Sequence, residues 1–356
     1  MKNSDLRIMM ISPLPPPIGG IARWTEQYIH YATNRKMDIR LVNTAIIGER
    51  SKIINSKRNI LDEIKRTYQI IRQVIKIERE YKPDIIHLNT SCSKLGLFRD
   101  YLCALVVKKS STKLFIHYHC NISDQISGRL QLLILKKMTK LADRRLVLNN
   151  DSKTYLLVNS DCESKIIPNF IDNSSIRNHL FVDSGKIKEI IFVGHIQESK
   201  GINEIIRVAE AMPDRIFNLV GPKQPSLNEE NFPKNVKLLG ILSKGDVQKR
   251  LKRSHLFLFP TYSEGFSVAL LEAMASGLPI ITTNVGANVD MLEDKGGIIV
   301  PVGDSEKIIE AIHDLDDSEY RQQMSDWNID KVRRNYTLEG VMEKLFSEYE
   351  AVKSVL

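Results

Sequence analysis

Glu264 and Glu272, eight positions apart, bracket a helix start within the segment from Phe259 to Ile280. This segment leaves a strand, passes through a loop holding Gly265 and enters an apolar helix, which Gly277 and Pro279 then stop. At such a start the backbone amides of Phe266, Ser267 and Val268 have no helical acceptor and sit at the positive end of the dipole. That arrangement binds a phosphate or a departing diphosphate. A carboxylate beside an anion site is costly unless the ligand also brings hydroxyl donors, and a nucleotide sugar brings both. The spacing alone is weak: two glutamates eight apart arise by chance in a chain rich in Glu, and an ordinary exposed carboxylate is the alternative.

Other residue types could contribute. In Leu114 to Asn121 the alternation of a strand puts His117 and His119 on one face. Gly19-Gly20, after the first apolar run, would let backbone approach a ligand closely, or would simply make a strand–helix turn. Asp314-Leu315-Asp316 has the spacing that holds Mg²⁺ in metal-dependent sugar transferases, but it falls between late helices, so no metal and no cofactor is expected. No Walker A sequence, no G-x-G-x-x-G and no obvious nucleophile is found. Cys92, Cys103, Cys120 and Cys162 form no C-x-x-C pair and read as reduced core thiols.

The elements that must position these residues alternate almost from end to end. Strands are expected at Leu6–Ile11, Ile39–Val42, Asp84–Leu88, Lys113–His119, Arg144–Leu148 and Lys165–Ile167, with helices near Ile21–Ala32, Ile60–Glu80, Lys94–Val107, Gln125–Leu141 and Ser152–Val158. The stretch from Asn169 to Lys188 is polar and without period. A second series follows, with strands at Glu189–Val193, Arg215–Val220, Val236–Leu239, Leu256–Phe259, Ile280–Thr282 and Ile298–Val300. Its helices fall near Ile202–Ala211, Ser243–Arg253, Ser267–Ser276 and Ser305–His313, the second opening on the capping pattern Ser243-x-x-Asp246. Apolar strands separated by helices mean parallel sheets covered on both faces, and such doubly wound α/β halves bind ligands at their strand C-termini. The expected division is 1–171, a linker over 172–188, 189–335, and a last helical segment over 336–356.

The 356 residues suit two domains, and 42% hydrophobic with 26% charged residues excludes wholesale disorder and fibrous structure. No apolar run approaches the roughly 20 residues that span a bilayer, and the first residues lack a signal-peptide core, so a cytoplasmic protein is expected. Charge is uneven: residues 1–171 carry 29 basic and 15 acidic side chains, a net of +14, and residues 172–356 a net of −6. Such asymmetry points to an anionic partner for the first half. Few aromatics interleave with the basic residues, which argues against nucleic acid. An anionic membrane surface is the expectation, with Lys57, Arg58, Lys65, Arg66, Lys136, Lys137 and Lys140 as contacts and peripheral attachment at the inner face of the cell membrane.

The segment 259–280, with Glu264 and Glu272 as its E-x7-E element, resembles the signature of the retaining GT-B glycosyltransferases of family 4. The resemblance extends through the strand–loop from Phe192 to Gly201, Ile167-Pro168-Asn169-Phe170-Ile171-Asp172, the N-terminal Pro13-to-Gly20 loop, Pro83-to-His87 and Ala142-Asp143. It covers most of the chain in the right order and is far more specific in the second half than in the first. It implies two Rossmann-like domains facing across a cleft, with a last helix (Leu338–Val355) crossing back to the first. It also implies donor ribose held by Glu272, donor sugar held by Glu264, and phosphate and sugar oxygens taken by the amides at 266–268. Lys200 would neutralise the diphosphate, with His119 near sugar and acceptor, Gly19 and Gly20 beside the diphosphate or acceptor, and backbone around Ile241 at the base. Where the family usually has Arg after Gly194, this chain has His195, which gives one neutral hydrogen bond in place of a charged fork. That departure fits a donor-specific variant, a charge supplied elsewhere, or weakened catalysis.

The implied activity is retaining, metal-independent transfer from a nucleoside-diphosphate sugar, UDP before GDP, to a glycan or polyprenyl-diphosphate-linked glycan in bacterial capsule or lipopolysaccharide assembly. A GT-B epimerase, a sugar phosphorylase or a non-catalytic binding scaffold would share the fold.

Overall fold

The computed structural model describes residues 6–16, 19–45, 60–108, 112–177 and 185–353. The chain divides into two compact units, residues 1–168 with 342–356, and residues 169–341.

The first unit alternates β1 (Arg7–Ser12), α1 (Gly20–Asn34), β2 (Asp38–Asn43), α2 (Ile60–Tyr81), β3 (Ile85–Thr90), α3 (Lys94–Val107), β4 (Lys113–Tyr118), α4 (Ile122–Gln125), α5 (Arg129–Leu141), β5 (Arg144–Val147), α6 (Asn150–Ser160) and β6 (Lys165–Ile166). The strands form one parallel sheet in the order β2-β1-β3-β4-β5-β6. β3 is buried along its whole length, as a strand covered on both faces must be. The helix expected over 125–141 is two helices. Ile126 and Gly128 are extended, and the Gln131 side chain spans the break, accepting from the Ser127 amide and donating to the Gln125 carbonyl (2.9 Å). Gly128, a poor helix former, serves as the cap of the second helix.

The second unit follows the same plan: β7 (Glu189–Val193), α7 (Ile202–Ala211), β8 (Ile216–Val220), β9 (Val236–Gly240), α8 (Lys244–Arg253), β10 (Leu256–Phe259), α9 (Val268–Ala275), β11 (Ile280–Thr283), α10 (Asn288–Leu292), β12 (Gly297–Val300), α11 (Ser305–Asp314) and α12 (Ser318–Asn335). Its sheet is parallel with order β12-β11-β10-β7-β8-β9. Stacked Phe192, Phe257 and Phe259 fill its centre. Ser243 caps α8 as the sequence predicts, its side chain accepting from the Asp246 amide. The stretch from Asn169 onward, read as the end of the first domain and a linker, is tied into this unit where described: the Ile171 amide donates to Tyr336 O, and the Arg177 amide to Ala275 O. Asp316 of the D-x-D accepts from buried Arg215 at 2.7 Å and from the Ile187 amide, which gives it a structural task. Finally α13 (Leu338–Lys353) returns the chain to the first unit, where Tyr349 packs edge-on against Phe115 and donates from its hydroxyl to His87 Nδ1.

Each sheet has a switch point, where its first strand feeds connections to opposite sides: between β1 and β3, and between β7 and β10. Crevices at the strand C-termini open there.

Candidate active site

In the second unit the loops after β7 and β10 meet at the switch point. The Tyr262 amide donates to Ser199 O, and Lys200 Nζ donates to Ser263 O (3.1 Å) and to Glu264 Oε1 (2.5 Å). An ammonium has three donors; two are used in holding Lys200 in place, and one remains for a ligand. Glu264 is raised above the usual carboxylate range because burial opposes its charge, against the pull of the Lys200 cation and hydrogen bonds from Lys200 and Thr261. Lys200 and Glu264 are thus mutually dependent charges in a poorly solvated place.

The loop that carries Glu264 is held from beneath by the one after β11. The Ala287 amide donates to Gly265 O, and at Gly286, which has φ +53°, any Cβ would collide with Glu264 O. Only glycine fits a left-handed position in that contact. The chain then enters α9. Ser267 is its cap, accepting from the Leu270 amide (3.2 Å), and Phe266 is buried with its carbonyl taken by Asn169. Among the described residues no backbone or side-chain group accepts from the amides of Phe266, Ser267 and Val268. The start of α9 therefore presents three amides that no described protein group satisfies. Glu272 lies five residues beyond the cap, half-buried between buried Leu271 and Ala273. Past it, Gly277 (φ +71°) closes a Schellman turn, with Leu278 N bonded to Ala273 O and Gly277 N to Met274 O.

The remaining second-unit candidates lie along the same strand ends. The Gly194 amide donates to Val220 O and the Gly221 amide to Gly240 O, joining the ends of β7, β8 and β9. His195 is exposed directly after β7. Ile241, after β9, is 78% exposed. Among the described residues no hydrogen bond or ion pair joins either residue to the Lys200–Glu264 pair.

Gly19, Gly20 and His119 belong to the first unit. Gly19 is extended and Gly20 opens α1; a Cβ on either would meet nothing within 4 Å, so the protein's own packing does not require glycine there. His119 stands at the end of β4, stacked on His117 (ring centroids 4.0 Å apart) and edge-on to Trp24 (5.0 Å). Sequence reasoning did not single out the network behind it. Asn89 Oδ1 accepts from His119 Nε2 (3.1 Å) and His87 Nε2 (2.9 Å). Asn89 Nδ2 donates to Ser12 Oγ (2.9 Å), which in turn donates to Thr25 Oγ1 (2.5 Å), itself a donor to Ile21 O. Every proton in this chain is fixed by the next acceptor, so His119 keeps Nε2–H toward Asn89, which leaves Nδ1 as its acceptor atom. Burial, then the neighbouring His87, lowers His119 to about 3, and burial lowers His87 to about 3. His119 is thus a neutral imidazole. The available signal was period two in β3 and β4, because Asn89 pairs in register with His117 and shares its face.

Residues 176–329 match the family model described as glycosyl transferases group 1. That match lies within the second unit. Over 357 aligned residues the chain is 23% identical to the capsular polysaccharide biosynthesis glycosyltransferase CapM of Staphylococcus aureus, covering 90% of this chain and 92% of that protein. It is 22% identical to an Escherichia coli UDP-Gal:alpha-D-GlcNAc-diphosphoundecaprenol alpha-1,3-galactosyltransferase, covering 98% and 97%. Among solved structures, sucrose-phosphate synthase from Thermosynechococcus elongatus superposes with a TM-score of 0.80 at 15% identity, over 99% of this chain and 100% of that one. The fold is GT-B, with two Rossmann-like domains, and the matches together support a GT-B glycosyltransferase of group 1. Lys200, Glu264, Glu272 and the amides of 266–268 all fall inside the matched segment.

Proposed function

We propose that the chain is a retaining, metal-independent glycosyltransferase that moves a sugar from a nucleoside-diphosphate donor, UDP-sugar before GDP-sugar, to a hydroxyl of a glycan or polyprenyl-diphosphate-linked glycan in surface polysaccharide assembly. The observation that carries this reading is the Lys200–Glu264 pair set beside three amides with no protein acceptor at a sheet switch point. The galactosyltransferase relative, whose name specifies UDP-Gal and a diphosphoundecaprenol-linked acceptor, supports both the donor and the acceptor class.

In this reading the amides of 266–268 and the third N–H of Lys200 take the charge that builds on the leaving diphosphate. Glu264 accepts from a sugar hydroxyl and Glu272 from the ribose. The anomeric carbon–phosphate oxygen bond breaks as the acceptor oxygen bonds to the same face, and the acceptor proton goes to the leaving phosphate oxygen. The first unit receives the acceptor, whose hydroxyl groups find the Nδ1 of His119. The open backbone at Gly19 and Gly20 admits its close approach. His195 supplies a neutral hydrogen bond in place of a guanidinium.

Glu272→Ala should raise the donor Kd tenfold or more, since a charge-assisted hydrogen bond is worth about 1.5–3 kcal/mol. Calorimetry with UDP-sugars on a variant that keeps its melting temperature measures this; unchanged affinity rejects the ribose role. Transfer should persist in EDTA, as a metal-independent reaction requires. Loss of activity that Mg²⁺ or Mn²⁺ restores would reject it. Product analysis with and without acceptor separates transfer from epimerisation and phosphorolysis.

A further inference from the structure

We infer that the outer faces of α2, α3 and α5 form a surface that inserts apolar side chains into an anionic bilayer. This rests on the lipid-linked acceptor reading above, but on a different part of the first unit from any residue assigned to the site.

The three helices pack side by side, α3 touching both α2 and α5. In a parallel α/β unit the helices run opposite to the strands, so all three start at the strand C-terminal edge. Each carries exposed apolar residues in its first turns. On α2 these are Leu61 (74% exposed), Ile64 (61%) and Tyr68 (64%), a spacing of three and four that makes one stripe. On α3 they are Leu95 and Phe98, continued along the same side by Leu105; on α5 they are Leu130 (70%) and Leu133. Core packing does not account for them. α2 already turns Ile70 and Val74 inward, α3 turns Leu97, Cys103 and Val107, and α5 turns Leu135 and Met138. Each helix therefore has two apolar faces, one spent on the sheet and one on the outside. Adjoining outward apolar residues on three neighbouring helices make a patch, and monomeric proteins rarely leave large patches uncovered.

Charge identifies what covers it. Beyond Tyr68 the same α2 stripe continues with Arg72 and Arg79, flanked by Lys65 and Lys76. Beyond Leu133 on α5 come Lys137 and Lys140, and every charged residue of that helix is basic. The exposed acids of α2, Asp62 and Glu80, stand near its ends. The first unit as a whole has 31 basic and 18 acidic residues. Apolar side chains ringed by Lys and Arg complement lipid tails beneath anionic headgroups. A neutral protein partner would use the apolar residues and leave the cations unmatched. Of the contacts expected from charge alone, Lys57 and Arg58 lie outside the described residues, and Arg66 turns to Glu63 at 3.2 Å. The apolar component is what sequence composition concealed, since Tyr68 and Phe98 turn outward only once the helices are docked.

The test uses the full chain with vesicles of phosphatidylcholine and phosphatidylglycerol in equal parts, and with vesicles of phosphatidylcholine alone. Co-sedimentation should require phosphatidylglycerol, and a fraction should survive about 0.5 M NaCl, where screening removes a purely electrostatic contact. Phe98→Trp should shift its emission to the blue on the anionic vesicles. Phe98→Ser with Leu130→Ser, both exposed, should keep the melting temperature and cut partitioning about tenfold or more. Binding released completely by salt with no blue shift overturns insertion. A concentration-dependent dimer that the double variant abolishes, with no vesicle binding, overturns it in favour of a second copy of the chain. Donor binding is measured separately by calorimetry: if it is intact while vesicle binding is absent, the surface proposal fails alone, and if it is absent while vesicle binding is intact, the transferase reading fails alone.

Discussion

Lys200→Ala should lower kcat by about 10²–10³ while costing the fold only about 1–2 kcal/mol. The two effects separate because of what Lys200 touches. Its ammonium holds Glu264 and the Ser263 carbonyl in the free protein, so removing it loses one charge-assisted and one neutral-acceptor hydrogen bond. Stranding a buried carboxylate would ordinarily cost about 3–5 kcal/mol, but Glu264 is already raised by burial and can take up a proton. In the reaction no such relief exists, because charge on a leaving diphosphate grows as the bond breaks and the cation is worth most at that moment. Single-turnover rates with saturating donor, beside a urea titration, read the two numbers. A variant with wild-type kcat would remove Lys200 from the chemistry. Lys200→Met with Glu264→Gln should regain most of the stability and none of the rate.

The second large effect is with pH. His87, His117 and His119 are held neutral by burial, and each lies below its ordinary value of 6.5. Unfolding lets each bind a proton that the native state refuses. Their contribution to stability is therefore complete above the unfolded value and is lost as pH falls from about 6.5 toward the depressed folded values, about 3 for His87 and His119. Each fully refused proton costs about 1.4 kcal/mol per pH unit, so three together set an upper limit of about 4 kcal/mol per unit. The urea midpoint should hold between pH 7 and 8 and drop steeply between pH 6 and 4.5, with uptake of two to three protons on unfolding. A midpoint flat across that range would mean that the cluster is already protonated in the native protein. His117 makes the case sharpest, since its Nε2 donates to Ile167 O and its buried Nδ1 has no partner among the described residues.

Much of this architecture is written in periods. Alternating apolar runs placed all twelve strands of the described residues to within a few positions, because a strand buried on both faces has little freedom in composition. The second unit's site was readable for a local reason: Glu264, the cradle, Ser267, Glu272 and the Gly277 stop lie within one contiguous stretch. The Lys200 partner was legible only through resemblance, since 64 residues separate it from Glu264. The histidine cluster was half legible. His117 and His119 follow from alternation along one strand, whereas Ser12, Trp24, His87 and Tyr349 come from four other elements, and only tertiary packing decides that they meet. The break at Ser127-Gly128 was missed because apolar spacing continues across it. The outward stripe of α2, α3 and α5 was missed because an apolar residue on a helix says nothing of which of two faces it occupies.

The path of α13 sets the order in which the polypeptide can mature. Residues up to 168 leave the ribosome first, yet the unit they build takes its closing helix from residue 342 onward. The second unit, contiguous from 169 to 341, is complete before its predecessor. At the usual ~5–20 residues per second, the early half waits about 10–35 s for its last piece. During that interval the sites that Tyr349 and Phe346 later fill, against His87, Phe115 and Tyr28, lie open on a nascent chain. Premature termination anywhere in the last helix would therefore damage the half of the molecule that was synthesised first, and would leave the half made just before it whole.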